Sequence, residues 1–222
     1  MSRIQLYAVI GAVVLAAALV AGYFLMSAPG SSPTPADAAQ PVVTIAPDDH
    51  TLGSSSAPIT VVEYAAPSCP VCARFDAETF PLLKKAYIDT GKIYYVFRVL
   101  PLRSADGAAE AIARCLPKEN YFDFIEVLFR KQAEWDPEFG IDDVHTALVK
   151  IAHAAGLSAT DVDRCIQDKT VQDKINKVAE DGVKQYKLHA TPTFIVDGVL
   201  QQPGAIPWAD LQKTIDAALK KH

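Results

Sequence analysis

ITVVEYAAPSCPVCA, residues 59–73, contains the transition that decides the fold of this chain. Its first half is an apolar run rich in β-branched residues, which is typical of a buried strand. Beyond the cysteines, apolar residues recur at helical spacing as far as about Thr90. Cys69 and Cys72 are therefore predicted to lie where a strand turns into a helix.

The two cysteines have the spacing of a redox-active dithiol. A cysteine attacks as thiolate, and its pKa falls at a helix N-terminus, where free N–H groups and the helix dipole favour negative charge. Cys69 is expected there, and Cys72, one turn later, is spaced to displace a mixed disulfide formed at Cys69. A metal site would need a second pair or nearby histidines, whereas Cys115 and Cys165 stand 50 residues apart. The pattern favours redox chemistry over a metal site or an inert pair, and we expect no metal and no cofactor.

The composition is that of a folded, acidic protein. Half of the 222 residues are hydrophobic, enough for the core of one sizeable domain or of a domain with an insertion. The formal net charge is -5, and no cluster of Lys and Arg marks a surface that would bind phosphate groups. We therefore expect no nucleic-acid partner.

The N-terminus carries a membrane signal. After Arg3, residues 4–26 are uncharged and largely apolar, and at ~1.5 Å rise per residue they are long enough to cross a hydrocarbon core of roughly 30 Å. We interpret residues 1–27 as a transmembrane anchor with the rest of the chain facing outward, or as a secretory signal cleaved after the A-x-A pattern at 36–38. Residues 28–47, rich in Pro, Ser and Ala, are interpreted as a flexible tether. Both interpretations place the cysteines in an oxidising compartment.

A second strand follows the predicted helix. KIYYVFRVL, from Lys92, is nearly continuous in its apolar character, as in a strand that is buried on both faces. Pro81 is expected to kink the intervening helix, and Gly91 to end it. Strand, helix and strand then make a βαβ unit.

The next part of the chain reads as helices only, from residue 104 to residue 186. Within it, residues 119–135 and 158–186 are each interpreted as one helix. Strand signals then return in a hairpin with its turn at Asp197-Gly198, and a last helix is predicted from about Pro207. The pattern predicts an α/β domain divided by an all-helical insertion.

Two further features suit a dithiol site. Glu63 interrupts the apolar strand six residues before Cys69, and a carboxyl buried near a dithiol would have a raised pKa and could accept the proton of Cys72. The alternative is a lone Glu on an edge strand. Thr191-Pro192 precedes a strand, where a cis bond would present the backbone of Thr191 to an extended peptide.

These features together resemble the DsbA-like branch of the thioredoxin superfamily. The ordered set consists of C-P-x-C after a strand, an acid six residues upstream, an all-helical insertion and T-P-T-F-x-x-D-G downstream. The resemblance implies a thioredoxin-like domain formed by residues 48–103 and 187–222, with the insertion at 104–186. It also implies a nucleophilic Cys69, a resolving Cys72, a buried Glu63 and a cis Pro192.

The resemblance further implies a cell-envelope enzyme, a thiol:disulfide oxidoreductase that gives its disulfide to folding secreted proteins. A quinone-linked membrane protein would reoxidise it. We expect an inner-membrane anchor with the catalytic domain in the periplasm, or a soluble periplasmic protein if the signal is cleaved. Pro70, Val71, Thr191 and Pro192 would form the substrate-binding surface, and a monomer is expected because the sequence offers a tether but no dimerisation module.

Two departures from the family pattern bear on the direction of catalysis. Well-known members carry His where this chain has Val71, which cannot donate a hydrogen bond to a thiolate, so we expect a weaker oxidant. His189 is a candidate for a substitute charge, and a surface histidine is the alternative. Thr191 stands where strong oxidases often carry Val, which leaves open a disulfide isomerase or a reductase kept reduced by a membrane partner.

The helical insertion raises two further questions. Cys115 and Cys165 remain in an oxidising compartment, so we expect them to form a disulfide, as in a subset of the family, with separate buried thiols as the alternative. The aromatic row at residues 121–129 is interpreted as core. If it formed a peptide groove instead, the protein would be a peptide-binding holdase.

Overall fold

The computed structural model of the protein describes residues 43–222. The strands are β1 (His50–Leu52), β2 (Ile59–Ala65), β3 (Ile93–Val99), β4 (Thr193–Val196) and β5 (Val199–Leu200). The α-helices are α1 (Pro70–Glu78), α2 (Phe80–Leu83), α3 (Ser104–Cys115), α4 (Tyr121–Arg130), α5 (Gln132–Trp135), α6 (Val144–Ala154), α7 (Ala159–Gln167), α8 (Lys169–Tyr186) and α9 (Trp208–Leu219). The predicted anchor at 1–27 and the tether as far as residue 42 lie outside the described residues. Among residues 43–222, no helix has both the length and the apolar character needed to cross a bilayer.

The described strands form one sheet in the order β1-β3-β2-β4-β5. β2 and β3 are parallel, which the helical connection between them allows, and the other neighbouring strands are antiparallel. β2 is therefore central. Glu63 on β2 lies opposite Phe97 on one side and Phe194 on the other, so the edge-strand alternative for this residue is wrong.

Successive side chains of β2 point to opposite faces of the sheet. Val61 and Ala65 belong to the larger core cluster, which also contains both cysteines of the C-P-x-C motif. Val62 and Tyr64 belong to a smaller cluster on the other face. By this alternation Glu63 faces the same core as the cysteines, because it lies between Val62 and Tyr64.

Helix α8 comes unusually close to the second face of the sheet. The reason is Gly182, since a Cβ atom at this position would lie 2.7 Å from Cε1 of Tyr64 and 2.9 Å from Cδ1 of Leu188. The glycine thus lets the end of the insertion pack directly against β2.

The helix that follows the cysteines is less regular than predicted. α1 stops at Glu78 and α2 starts at Phe80, so the interruption at Thr79 lies two residues before Pro81. Pro81 occupies the first turn of α2, where its missing N–H is tolerated. A π-helical turn, Lys84–Ile88, then ends the segment, before Gly91 with its positive φ of 70°.

The insertion contains breaks that its apolar periodicity does not reveal. The single helix predicted over 119–135 is interrupted at Lys131, between α4 and α5. The single helix predicted over 158–186 is interrupted at Asp168, whose side chain caps α8 by accepting two backbone N–H groups. β1, which pairs with β3, was not predicted at all.

Between β3 and β4 the chain runs through α3 to α8, in agreement with a thioredoxin fold that carries a helical insertion. Cys115 at the end of α3 and Cys165 in α7 are joined as a disulfide, with their Cα atoms 6.0 Å apart. The aromatic row of α4 is mostly buried: Tyr121, Phe124 and Phe129 belong to the core, in agreement with the interpretation of this row as core.

Candidate active site

Cys69 lies at the N-terminus of α1, as the sequence predicts. It is the N-cap residue, with an extended backbone, and Pro70 follows at the first helical position, where a missing N–H costs nothing. The Sγ atom of Cys69 accepts a hydrogen bond from the backbone N–H of Cys72 at 3.3 Å. One of the free N–H groups of the helix is therefore directed at the sulfur.

These surroundings favour the thiolate form of Cys69. The hydrogen bond from the Cys72 side chain is the largest cause that lowers the pKa of Cys69, and the backbone N–H groups of Val71 and Cys72 add to it. Burial acts in the opposite direction. The net effect lowers the pKa of Cys69 from 9.0 to about 6, so most of this cysteine is thiolate at neutral pH.

Cys72 has the opposite properties. Its side chain is fully buried, and burial, the neighbouring Cys69 and the charge of Glu63 all raise the pKa of Cys72 far above its ordinary value. The two thiols therefore differ in their ionisation although they lie one helical turn apart. Cys69 is therefore the thiol suited to attack and to leave as a stable thiolate, whereas Cys72 needs a proton when it leaves.

Glu63 lies in the same core, 2% exposed, on the central strand. The hydroxyl of Tyr95, on β3, donates a hydrogen bond of 2.5 Å to its Oε2 atom. Burial is the main cause that raises the pKa of Glu63 from 4.5 to about 8, and the charges of Asp76 and Cys69 add to the shift. A carboxyl with this pKa exchanges protons readily near neutral pH.

A cavity of about 530 Å³ gives Glu63 a connection towards the surface. Its lining includes Glu63 and Tyr95 on the sheet, Asp76 on α1, and Phe122 and Glu126 on α4. Burial, and secondly the charge of Glu126, raises the pKa of Asp76 to about 7. The cavity thus brings a second carboxyl that titrates near neutral pH close to the first.

The Thr191-Pro192 loop faces the nucleophile. The peptide bond between these residues is cis, and the carbonyl oxygen of Thr191 lies 3.4 Å from the Sγ atom of Cys69, which can donate to it when the thiol is protonated. His189 is exposed, and its Nδ1 atom contacts the carbonyl of Lys187. This placement fits the surface alternative for His189 better than a charge beside the thiolate.

The helical insertion holds the residue that precedes the nucleophile. The carboxylate of Asp106, on α3, accepts the backbone N–H of Ser68 at 2.8 Å and its hydroxyl at 3.0 Å. Arg103 donates to the same hydroxyl oxygen at 2.7 Å. Both Ser68 and Asp106 are fully buried.

The structure thus places Cys69, Cys72, Glu63 and the Thr191-Pro192 loop around one site, with Val71 packed against the core and unable to donate a hydrogen bond from its side chain. The polar partners of this site were not predicted from the sequence. Tyr95 gave no signal beyond its place on a buried strand. Asp106 lies near the predicted start of the helical insertion, but nothing near it in the sequence indicates its hydrogen bond to Ser68, which is 38 residues away.

No group of three or more metal-ligating side chains occurs within residues 43–222.

Comparison with known proteins gives a consistent assignment. Residues 46–217 match the model of a thioredoxin family. The crystal structure of alpha-DsbA1 from Wolbachia pipientis superposes with a TM-score of 0.73 at 31% identity, over 80% of this chain and 94% of that one. Disulfide bond formation protein D of Bacillus subtilis is 27% identical over 76% of either chain.

A Rickettsia bellii relative, named as a protein-disulfide oxidoreductase, is 30% identical over 78% of this chain, which spans 66% of the relative's length. The family match covers most of the chain, and the Wolbachia structure is matched almost throughout. The chain therefore belongs to the DsbA-like branch of the thioredoxin superfamily.

Proposed function

We propose that the protein is a thiol:disulfide oxidase that transfers a Cys69–Cys72 disulfide to folding secreted proteins. The observation that carries the proposal is the asymmetry of the two thiols. Cys69 has a pKa of about 6, whereas the pKa of the buried Cys72 is raised far above its ordinary value. A dithiol whose reduced form is stabilised as a thiolate has a more oxidising disulfide.

The reaction begins when a substrate thiolate attacks the Sγ atom of Cys69. The bond between the two cysteines breaks, and Cys72 leaves as a buried thiolate, which takes a proton from the carboxyl of Glu63. A second substrate thiolate then attacks the substrate sulfur of the mixed disulfide and releases Cys69 as a thiolate. The substrate loses two electrons and gains one disulfide, and the enzyme is left as a dithiol.

The Thr191-Pro192 loop is proposed to hold the backbone of the substrate, together with Pro70 and Val71. Support comes from the short distance between the Thr191 carbonyl and the Cys69 sulfur, since a chain aligned along this loop would meet the reactive atom. Pro70 is exposed beside it.

We further propose that the enzyme acts in the cell envelope, held by residues 1–27 or soluble in the periplasm after their removal. Folding secreted proteins with free cysteines would be its substrates, and a quinone-linked membrane protein would accept its electrons. The names of its relatives, which refer to disulfide bond formation and protein-disulfide oxidoreduction, support the part of this proposal that concerns disulfide transfer.

The test is thiol trapping with an alkylating mass tag in the native cells. A Cys115→Ser, Cys165→Ser variant isolates the active pair, and a further Cys69→Ser change gives the mobility of an unpaired Cys72. We expect the Cys69–Cys72 pair to be mostly oxidised. A mostly reduced pair would reject the oxidase and indicate an isomerase or reductase that a membrane partner keeps reduced.

Val71 offers a separate test of redox tuning. Val71→His would place a donor beside the thiolate, stabilise the reduced form and raise the reduction potential measured against glutathione. A potential equal to that of the wild type would contradict the expectation that Val71 makes this protein a weaker oxidant than family members with His.

A further inference from the structure

The helical insertion holds the backbone on both sides of Ser68 as well. The Nε2 atom of Gln132, on α5, donates to the carbonyl of Pro67 at 2.8 Å and to the carbonyl of Cys69 at 3.0 Å. Gln132 is 6% exposed, so water competes little for these bonds. Three consecutive residues that end at the nucleophile are therefore held by side chains of the insertion.

Gln132 is itself fixed by the break between α4 and α5. The helix is interrupted at Lys131, whose backbone angles (φ -107°, ψ 19°) are not helical. Trp135, fully buried at the other end of α5, donates its Nε1–H to the carbonyl of Leu128 at 2.9 Å. The short helix α5 is thereby attached to α4, and its first side chain is directed at the residues before α1.

We propose that Gln132 is a positioning residue of disulfide exchange, which stabilises the reduced state by fixing the peptide group of Cys69. The proposal deepens the proposed function and rests on the same dithiol. Through Gln132, the helical insertion takes part in setting the redox properties of the thioredoxin-like domain.

Two effects of Gln132 act in the same direction. The carbonyl of Cys69 accepts from Gln132 and also from the backbone N–H of Ala73 at 3.0 Å, so Gln132 adds a donor to the first turn of α1. The positive end of this N–H dipole lies at the carbonyl of the residue that carries the thiolate, and a positive partial charge there favours the thiolate. The bonds also hold Cys69 where its sulfur can accept the N–H of Cys72, and this contact is stronger for a charged sulfur.

The reduced state therefore depends more on Gln132 than the oxidised state does, because only the reduced state carries the thiolate. If Gln132 supported both states equally, its removal would lower the stability of both and leave the reduction potential unchanged. The potential thus distinguishes a positioning role from a purely structural one.

The experiment compares Gln132→Leu with Gln172→Leu in the full chain. Gln172, on α8, also donates its side-chain N–H to a backbone carbonyl, that of Ile166 at 3.1 Å. This hydrogen bond is remote in sequence from Cys69 and Cys72. For Gln132→Leu we expect the equilibrium with glutathione to shift roughly three- to tenfold towards the oxidised enzyme. This shift corresponds to the loss, from the reduced state, of one hydrogen bond that contributes about 1 kcal/mol. The pKa of Cys69 should rise, and Gln172→Leu should leave both quantities unchanged.

An unchanged equilibrium and an unchanged pKa of Cys69 in Gln132→Leu would overturn the proposal. So would equal shifts in both variants. If Gln132→Leu does not fold, the wild-type protein supplies the measurement by NMR. The side-chain amide protons of Gln132 should exchange with solvent more slowly in the reduced than in the oxidised protein, and equal exchange rates would reject the proposal.

These readouts do not depend on the direction of catalysis in the cell. A reduced Cys69–Cys72 pair in thiol trapping would reject the oxidase but would leave the effect of Gln132 on the potential intact. Conversely, an oxidised pair combined with an unaltered potential in Gln132→Leu would reject only the role of Gln132.

Discussion

Replacing Cys72 by alanine isolates the main cause of the low pKa of Cys69. In the wild type, the hydrogen bond from the Cys72 side chain contributes most to that low value, and hydrogen bonds with Thr191 and with the backbone N–H groups of Cys72 and Val71 contribute less. Cys72→Ala removes the side-chain donor. It leaves the backbone N–H of Cys72, 3.3 Å from the Cys69 sulfur, in place.

The size of the effect follows from the strength of a hydrogen bond to a charged group. Such a bond contributes about 1.5 to 3 kcal/mol, and a difference of 1.36 kcal/mol corresponds to roughly one pKa unit. We expect the pKa of Cys69 to rise from about 6 in the wild type to roughly 7 or 8 in Cys72→Ala. Cys72→Ser is the matched control, because its hydroxyl can still donate to the sulfur.

The assay follows the ultraviolet absorbance of the thiolate as a function of pH, together with the rate of alkylation of Cys69. Cys69 is the sole free thiol in both variants when the Cys115–Cys165 disulfide is intact. The serine variant should titrate near the wild type and the alanine variant at higher pH. Coincident titration curves of the two variants would refute the reasoning, and would assign the low pKa to Thr191 and the helix N-terminus.

Three further predictions concern stability. Burial raises the pKa of Glu63 from 4.5 to about 8. Between pH 4.5 and pH 8 the carboxyl of Glu63 therefore stays protonated in the folded protein but is ionised in the unfolded chain, so the unfolding free energy falls as the pH rises through this range. Glu63→Gln should therefore stabilise the protein by roughly 3 kcal/mol more at pH 7 than at pH 4.5 in denaturant titrations, and an equal effect at both pH values would contradict the assignment. Gly182→Ala should lower the unfolding free energy by about 1 to 3 kcal/mol, because the new Cβ atom would lie too close to the sheet. In Gly107→Ala the nearest atom to the new Cβ would be 3.6 Å away, so this control should be neutral or slightly stabilising. Similar effects of the two changes would argue against close packing of α8. Cys115→Ser, Cys165→Ser opens a loop with a sequence separation of 50 residues and should cost roughly 3 to 4 kcal/mol, a loss that thermal or denaturant unfolding would reveal and that unchanged stability would disprove.

The catalytic centre was predictable because its signals are local. A strand that turns into a helix at C-P-x-C places one thiol at the helix N-terminus and the other one turn later, whatever the rest of the chain does. The hairpin turn at Asp197-Gly198 is equally local, with positive φ at both residues. The helical insertion was visible because apolar periodicity changes over a long stretch of chain.

Two ambiguities of the sequence were settled by tertiary structure. Whether Glu63 lay on an edge strand or in the core depended on which strands pair with β2, and β4 comes from a segment more than a hundred residues later. The breaks at Lys131 and Asp168 were hidden for a related reason. Apolar spacing continues across each break because the helices on both sides bury an apolar face. α4 and α5 pack on the same core, whereas α7 packs on the larger core cluster and α8 on the smaller one, so periodicity records burial and not the interruption.

The sequence by itself thus determined an α/β domain with a helical insertion and the dithiol, since each is encoded in neighbouring residues, and the order of these motifs along the chain gave the resemblance to the thioredoxin superfamily. The tertiary structure alone decided which polar groups surround the nucleophile. Asp106 reaches Ser68 across 38 residues, and Gln132 reaches Cys69 across 63. Such contacts leave no local pattern, because a hydrogen bond between distant segments depends on the packing of whole helices and places no requirement on the residues adjacent to either partner.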